Sequence, residues 1–295
     1  MKMQKTDTCS PAAAGSRYLL AALVILLILS GPAWTQEVTE EAEEETPLIE
    51  EMPHGMVDWE SEVVRATGIG FPPEFGAPAK RKLLAKRAAT ADAYRNLAEI
   101  VHGVRVDSET VVKNYETESD IVRIQISGLI KGARIIEAKP LPDKSFQVTL
   151  ELPIYGESSI AQAIIPEIMP KAEVAAPRAI PEGGYTGLIV DAQGLNIEPA
   201  MSPKIIDSEG KELYGTMEID PDYVIAHGIV DYATSMAKAM ADDRAGVNPI
   251  VIKGLKAGGD AFKANIIVDV DEANKVRRAN EDYHFLNATN VIIVI

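Results

Sequence analysis

The chain has 295 residues, of which 46% are hydrophobic and 25% charged, with a formal charge of −15. That supply of apolar residues excludes a disordered polymer, and the length is what two packed domains require. The negative balance disfavours nucleic acid and anionic lipid headgroups as partners.

Charge and hydropathy divide the first fifty residues. Lys2, Lys5 and Arg17 precede the apolar run at 19–30, which is followed by Gly31, Pro32 and Ala33. A charged start, an apolar middle and a small-residue end predict a secretory signal peptide over 1–35, cleaved near Ala33 or Thr35 and leaving a periplasmic or secreted protein. Its apolar run is about 12 residues, short of the ~20 a spanning helix needs, which sets cleavage against the alternative of a retained anchor. Cys9 is the single cysteine and precedes the apolar run, so the expected mature chain has no lipid-accepting cysteine, disulfide or thiolate chemistry. Residues 1–35 carry three cations against Asp7, a net of +2, so the remainder carries −17. Eight Glu lie between Glu37 and Glu51, and with Pro47 and Pro53 they predict an acidic disordered linker over 36–56.

A first α+β domain is expected over 57–165. Residues 58–71 suit a strand, and Gly68, Gly70, Pro72, Pro73 and Pro78 then break it. Residues 79–102 place Leu83, Leu84, Ala88, Ala91, Tyr94, Leu97, Ala98 and Val101 along one helical stripe opposite Lys80, Arg87, Asp92, Arg95 and Glu99. The alanine density predicts a sheet lying close against this helix, and Gly103 its terminator. Strands are predicted over 104–114, 120–131, 133–138 and 145–155, the second and fourth on period-two alternation, with Gly128 and Gly132 at bends. One long helix on an antiparallel sheet is the expected architecture.

Four prolines and two glycines between Pro166 and Gly184 predict a second linker, and a mixed α/β domain is expected over 185–295. Leu188, Ile189 and Val190 ending at Asp191 read as a buried strand, residues 203–215 as a hairpin, and 229–242 as a helix. Strands are predicted at 249–253, 264–268 and 290–295, and a helix at 271–280 capped by Asp269 or Asp271.

No catalytic constellation emerges from the sequence, and no catalytic, cofactor-binding or metal-ligating residue is assigned. His54, His102, His227 and His284 are isolated, and none belongs to a metal-binding pair. Gly68-Ile-Gly70 and the 254–259 stretch lack the continuation of a phosphate loop and read as turns. Asp242-Asp243 and Asp220 with Asp222 read as solvated turn residues. Asp191 is the one acidic residue with a positional argument, because ligands of open α/β sheets gather at the carboxyl ends of the strands. It motivates the competing expectation of a ligand-binding or enzymatic second domain.

Three blocks, AATADAYRNLAEIVHGVRV at 88–106, SGLIKGARII at 127–136 and VTLELPIYG at 148–156, resemble the family of the twenty-kilodalton surface lipoproteins and the N-terminal domain of flagellar assembly protein T. The likeness spans 79–156. It implies a small α+β envelope domain of a kind some of whose members build or stabilise rings around the flagellar basal body, and it implies no catalysis. The sequence departs from the lipoprotein members in lacking their lipid-bearing cysteine. Residues from Gly184 onward look like a region that follows such domains in exported proteins of unassigned activity. The expectation is a non-enzymatic envelope protein of structural or assembly type. It takes no cofactor, no nucleic acid and no membrane span once the signal is cleaved, and its partners are other proteins or copies of itself met at exposed sheet edges.

Overall fold

The computed structural model describes residues 48–169, 183–215 and 219–295. The expected signal peptide, most of the acidic linker and most of the Pro-rich linker lie outside the described residues. The fold is α+β: one long helix on an antiparallel sheet, followed by a second, mixed α/β layer.

The first sheet has the order β1-β2-β3-β5-β4 and is antiparallel throughout. Its strands are β1 (Ile49–Met52), β2 (Gly55–Asp58), β3 (Val63–Gly70), β4 (Arg134–Pro140) and β5 (Phe146–Pro153). Helix α1 (Pro78–Gly103) crosses its inner face. In β5, Phe146, Val148, Leu150 and Leu152 face the core at the spacing of a half-buried strand. The residues α1 buries are Ala85, Ala89, Ala93, Asn96, Leu97, Ile100 and Val101. Leu83 and Leu84, predicted on the buried stripe, are exposed. The close approach decides the rotation: a Cβ built on Gly68 would lie 2.1 Å from the Ala93 nitrogen, and one on Gly70 2.2 Å from the Ala85 oxygen. Only the alanine face fits there, which turns both leucines to solvent. Gly68 and Gly70 are therefore strand residues, not a turn.

Three other expectations are corrected. Residues 120–131 form helix α3 (Asp120–Gly132), not a strand. Val122, Ile126 and Ile130 recur at four-residue spacing and are buried, and the Ser119 hydroxyl accepts the Val122 N–H as N-cap. Gly128 and Gly132 thus lie within a helix. Residues 104–114 contain only the Arg105–Val111 bridge before helix α2 (Val112–Glu118). The tail of the acidic linker is ordered as β1, because Ile49–Met52 pairs along its length with β2.

Helix α4 (Ile160–Ile168) continues through Pro166, beyond the predicted domain end, since Ile160, Ala161, Ala163, Ile164 and Ile165 are all buried. The second sheet has the order β8-β7-β11-β10-β6-β12-β9. Its strands are β6 (Gly187–Asp191), β7 (Ile205–Asp207), β8 (Glu212–Tyr214), β9 (Asp231–Ala233), β10 (Pro249–Gly258), β11 (Asn265–Val268) and β12 (Val291–Val294). The predicted strands and the β7–β8 hairpin are present, and Gly254 and Gly258 lie in β10 rather than in turns. Helices α5 (Pro221–His227), α6 (Met236–Ala241) and α7 (Val270–Tyr283) complete this half, α7 capped by the Asp269 carboxylate. The helix expected over 229–242 is instead β9 followed by α6, because Asp231–Ala233 pairs in parallel with β12. Strands β6 and β12 lie inside the sheet with parallel neighbours, and Gly187–Val190 and Val291–Val294 are buried on both faces, so they read as continuous apolar runs.

The two layers share one core. A single cluster of buried side chains runs from Val57 and Leu97 through Ile154 and Ile164 to Leu188, Phe285 and Ile293. Polar bonds cross the seam as well: the Tyr155 hydroxyl donates to the Met201 carbonyl at 3.0 Å, and the Ser202 N–H to the Val106 carbonyl at 2.7 Å.

Candidate functional site

Asp191 ends β6, as predicted, and its carboxylate accepts the Gln193 N–H at 3.2 Å, a local turn contact. The histidines are dispersed. His102 meets Glu116 at 3.0 Å, and His227 packs its ring on Tyr223 with centroids 4.6 Å apart. Among the described residues no three His, Cys, Asp or Glu side chains are placed to hold a metal ion. Asp242 and Asp243 join a cleft that sequence reasoning did not assemble.

That cleft, about 580 Å³, opens at the amino ends of β9 and β12, and Glu62, Asp231, His227, Tyr223, Asp242 and Arg244 line it. The Arg244 guanidinium donates to the carbonyls of Thr289, His227 and Gly228 and pairs with the Asp231 carboxylate. Glu62 enters from the turn before β3 with a left-handed backbone, φ 54°. Burial first, and then the charge of Asp231, push its carboxyl up from 4.5 to about 7, against the pull of Arg244. Asp231 is raised chiefly by burial too, with Arg244 opposing. No pattern in the WESE turn announced this. It follows from the two layers closing over the residue.

A folded-state value above the unfolded one makes a carboxyl stabilising while protonated. For Glu62 that contribution is full below 4.5 and is lost as pH rises through about 7. Glu62→Gln is therefore expected to stabilise the protein by roughly 1–3 kcal/mol at about pH 8 and to leave it unchanged at about pH 4, as read from urea midpoints. Equal midpoints at both pH values would show that the carboxyl titrates normally.

The second feature is a groove of about 710 Å³ beside the edge of the first sheet. Gln125, Gly128 and Gly132 of α3 form one wall, Arg134 and Glu151 its floor, and Gln162 with Ala163 of α4 the other wall. A Cβ at either glycine would touch nothing within 4 Å, so the groove is open along α3. Glu151 accepts from Arg65 at 2.9 Å and from Arg134; burial raises its carboxyl, but these two bonds outweigh it and hold the group below its ordinary value. Strand β4 runs from the groove as the outermost strand, with all seven residues exposed. The register slips between Ile135 and Glu137, which leaves Ile135 and Ile136 both exposed. On α3, Ile121 and Ile124 are 63% and 70% exposed. An open strand edge beside apolar side chains and a groove can accept an extended segment of another chain. The backbone supplies the hydrogen bonds and the isoleucines the apolar contact.

The geometry thus defines an α+β protein with an open sheet edge, and among the described residues no helix is long and apolar enough to cross a membrane. Residues 187–295, the whole of the second sheet with its helices, match the family described as Treponema pallidum Tp0624, second domain. No curated protein matches the chain.

Proposed function

We propose that this is an exported, non-enzymatic protein of the cell envelope that acts in a structural assembly through protein contacts, with β4 and its flanking groove as the contact surface. The observation that carries the reading is the fully exposed edge strand, seven residues long with two adjacent isoleucines in the open. Edge strands are ordinarily covered or blunted; Arg134, Glu137, Lys139, Pro140 and the register slip blunt this one in part and leave Ile135 and Ile136 open between them. The likeness of 79–156 to flagellar assembly domains supports placing that assembly at the flagellar basal body. The apolar run at 19–30 supports export, and N-terminal sequencing of the exported form, starting at Trp34 or Gln36, tests it.

The contact surface has a direct test. Ile135→Lys with Ile136→Lys places two charges on an already exposed strand and spares the core. Native complexes isolated from the periplasm should lose the partner, or the second copy, by about tenfold or more, with an unchanged circular dichroism spectrum. Complexes recovered in full would remove β4 from the contact. Deletion of the gene should alter basal-body rings or swimming; untouched flagella would end the flagellar part while leaving the contact surface standing.

A further inference from the structure

At the end of the molecule where β3 finishes and α1 begins, the overall acidity reverses. Lys80, Arg81, Lys82, Lys86 and Arg87 supply five cations within eight residues, and Asp92 is the first acid of that helix. The register of the sheet brings Lys139 and the turn bearing Lys144 to this same end, since Pro140 pairs with Phe146 and Phe146 with Gly70. Glu74, Glu137 and Asp143 are the acidic residues among these segments. Seven cations against three carboxylates make a basic pole on a chain of net charge −15.

Apolar side chains stand among the cations. The loop between β3 and α1 carries Phe71 and Phe75, 70% and 86% exposed, on either side of Pro72 and Pro73. Arg81 donates its Nε–H to the Pro73 carbonyl at 2.7 Å, which ties the loop to the helix. The outward face of α1 continues the pattern with Lys80, Leu83, Leu84 and Arg87 at helical spacing, all exposed because the alanine face is against the sheet.

From this pole we infer that the protein docks on an anionic lipid surface, with Phe71, Phe75, Leu83 and Leu84 inserted at the headgroup boundary and the lysines and arginines against the lipid phosphates. Lysine is depleted in the apolar centres of protein–protein interfaces, whereas exposed phenylalanines ringed by lysine and arginine are what an anionic interface takes up. The long stems of Lys80 and Lys82 let their ammonium groups stay in the headgroup layer while the rings go deeper. The inference does not rest on the β4 contact: of that strand the pole uses Lys139 with its neighbour Glu137, and neither of the isoleucines that the contact needs. It assigns a membrane-facing end to a chain whose net charge alone would keep it off the membrane.

The test is sedimentation of the exported full chain with two vesicle populations, one of pure phosphatidylcholine and one with about one-third phosphatidylglycerol. Binding is expected to the anionic vesicles only and to fall steeply as salt is raised. Each cation contributes about fivefold, so K80E/K82E/R87E should weaken binding by more than about a hundredfold, and F71S/F75S by about tenfold or more. The Phe variants lie in an exposed loop and keep the helix intact, so they decide the matter should the charge variant fail to fold. Three results would overturn the inference. One is absence of binding to anionic vesicles. Another is equal binding to neutral vesicles that F71S/F75S leaves unchanged, which removes the pole from the membrane contact. The third is a salt-sensitive oligomer, formed without vesicles and abolished by K80E/K82E/R87E, which assigns the pole to the acidic residues of a second copy.

Discussion

Gly68→Val is expected to leave the protein unfolded or destabilised by more than about 3 kcal/mol in urea titration. The added Cβ would lie 2.1 Å from the Ala93 nitrogen, 2.4 Å from the Ala89 oxygen and 2.7 Å from the Ala93 Cα. These are backbone atoms of a 26-residue helix, so no side chain can swing away to make room. The helix must instead lift off β3, opening contacts around Ala85, Ala89, Ala93 and Leu97, all of them fully buried. Overpacking of a core costs about 1–3 kcal/mol when side chains can adjust, and more when the backbone must move. Gly103→Ala is the matched control: nothing lies within 4 Å of its added Cβ, and in a helical position the change is neutral or slightly stabilising. A Gly68→Val protein within about 1 kcal/mol of the parent would mean that helix and sheet do not approach so closely.

The same packing explains what was readable in the sequence. The long helix, its alanine-driven closeness to a sheet, the apolar run of β6, the β7–β8 hairpin and the Asp269 cap were all legible, because each rests on local chemistry. The direction in which α1 faces was not. Leu83 and Leu84 outweigh Ala85 and Ala89 on any hydropathy count, yet the sheet selects the smaller pair because Gly68 and Gly70 leave room for nothing larger. Residues 121–130 misled for a related reason. β-Branched residues in apparent alternation suggest a strand, while Val122, Ile126 and Ile130 satisfy a helical spacing equally well, and only the neighbours α3 packs on decide between the two periods.

The sites were less legible than the fold. Glu62, Asp231 and Arg244 are far apart in sequence, and their meeting depends on how the two layers pack on each other. Asp191 had the positional argument, but its carboxylate is engaged in its own turn. The open edge of β4 became visible only once α3 was a helix, since a strand over 120–131 would have been available to cover it.

Arg105 shows how the layers are held, and its removal is the second large effect expected. The residue is buried where β1, the seam and the second layer meet. Its Nε–H donates to the Pro199 carbonyl at 2.7 Å, and its two Nη groups donate to the two oxygens of Glu50 on β1, at 2.9 and 2.5 Å. The guanidinium also lies 6.0 Å from the ring centroids of both Trp59 and Phe262. Arg105→Ala leaves the Glu50 carboxylate and the Pro199 carbonyl without their donors; the Glu50 side chain is 31% exposed and water takes up part of the loss, so the cost is expected at about 2–3 kcal/mol, below that of a fully buried pair. Lysine should not rescue it, because one ammonium cannot replace a planar fork that holds two oxygens and a carbonyl in different directions.

The loss should be local before it is global. Strand β1 has a single neighbour, β2, so without its clasp to Arg105 it should become the first segment open to proteolysis. A cleft of about 440 Å³ lies under this clasp, at the carboxyl ends of β9 and β12, lined by Trp59, Ile197, Thr234 and Ile295. Glu50→Gln removes the charge that Arg105 neutralises but keeps an acceptor, so it should cost much less than Arg105→Ala. Combining the two should cost less than their sum by about 0.5–3 kcal/mol, the coupling of groups in direct contact. Additive costs in that double-mutant cycle, with no early cleavage in β1, would reduce Arg105 to a packing residue and leave the attachment of β1 to its four-residue ladder with β2.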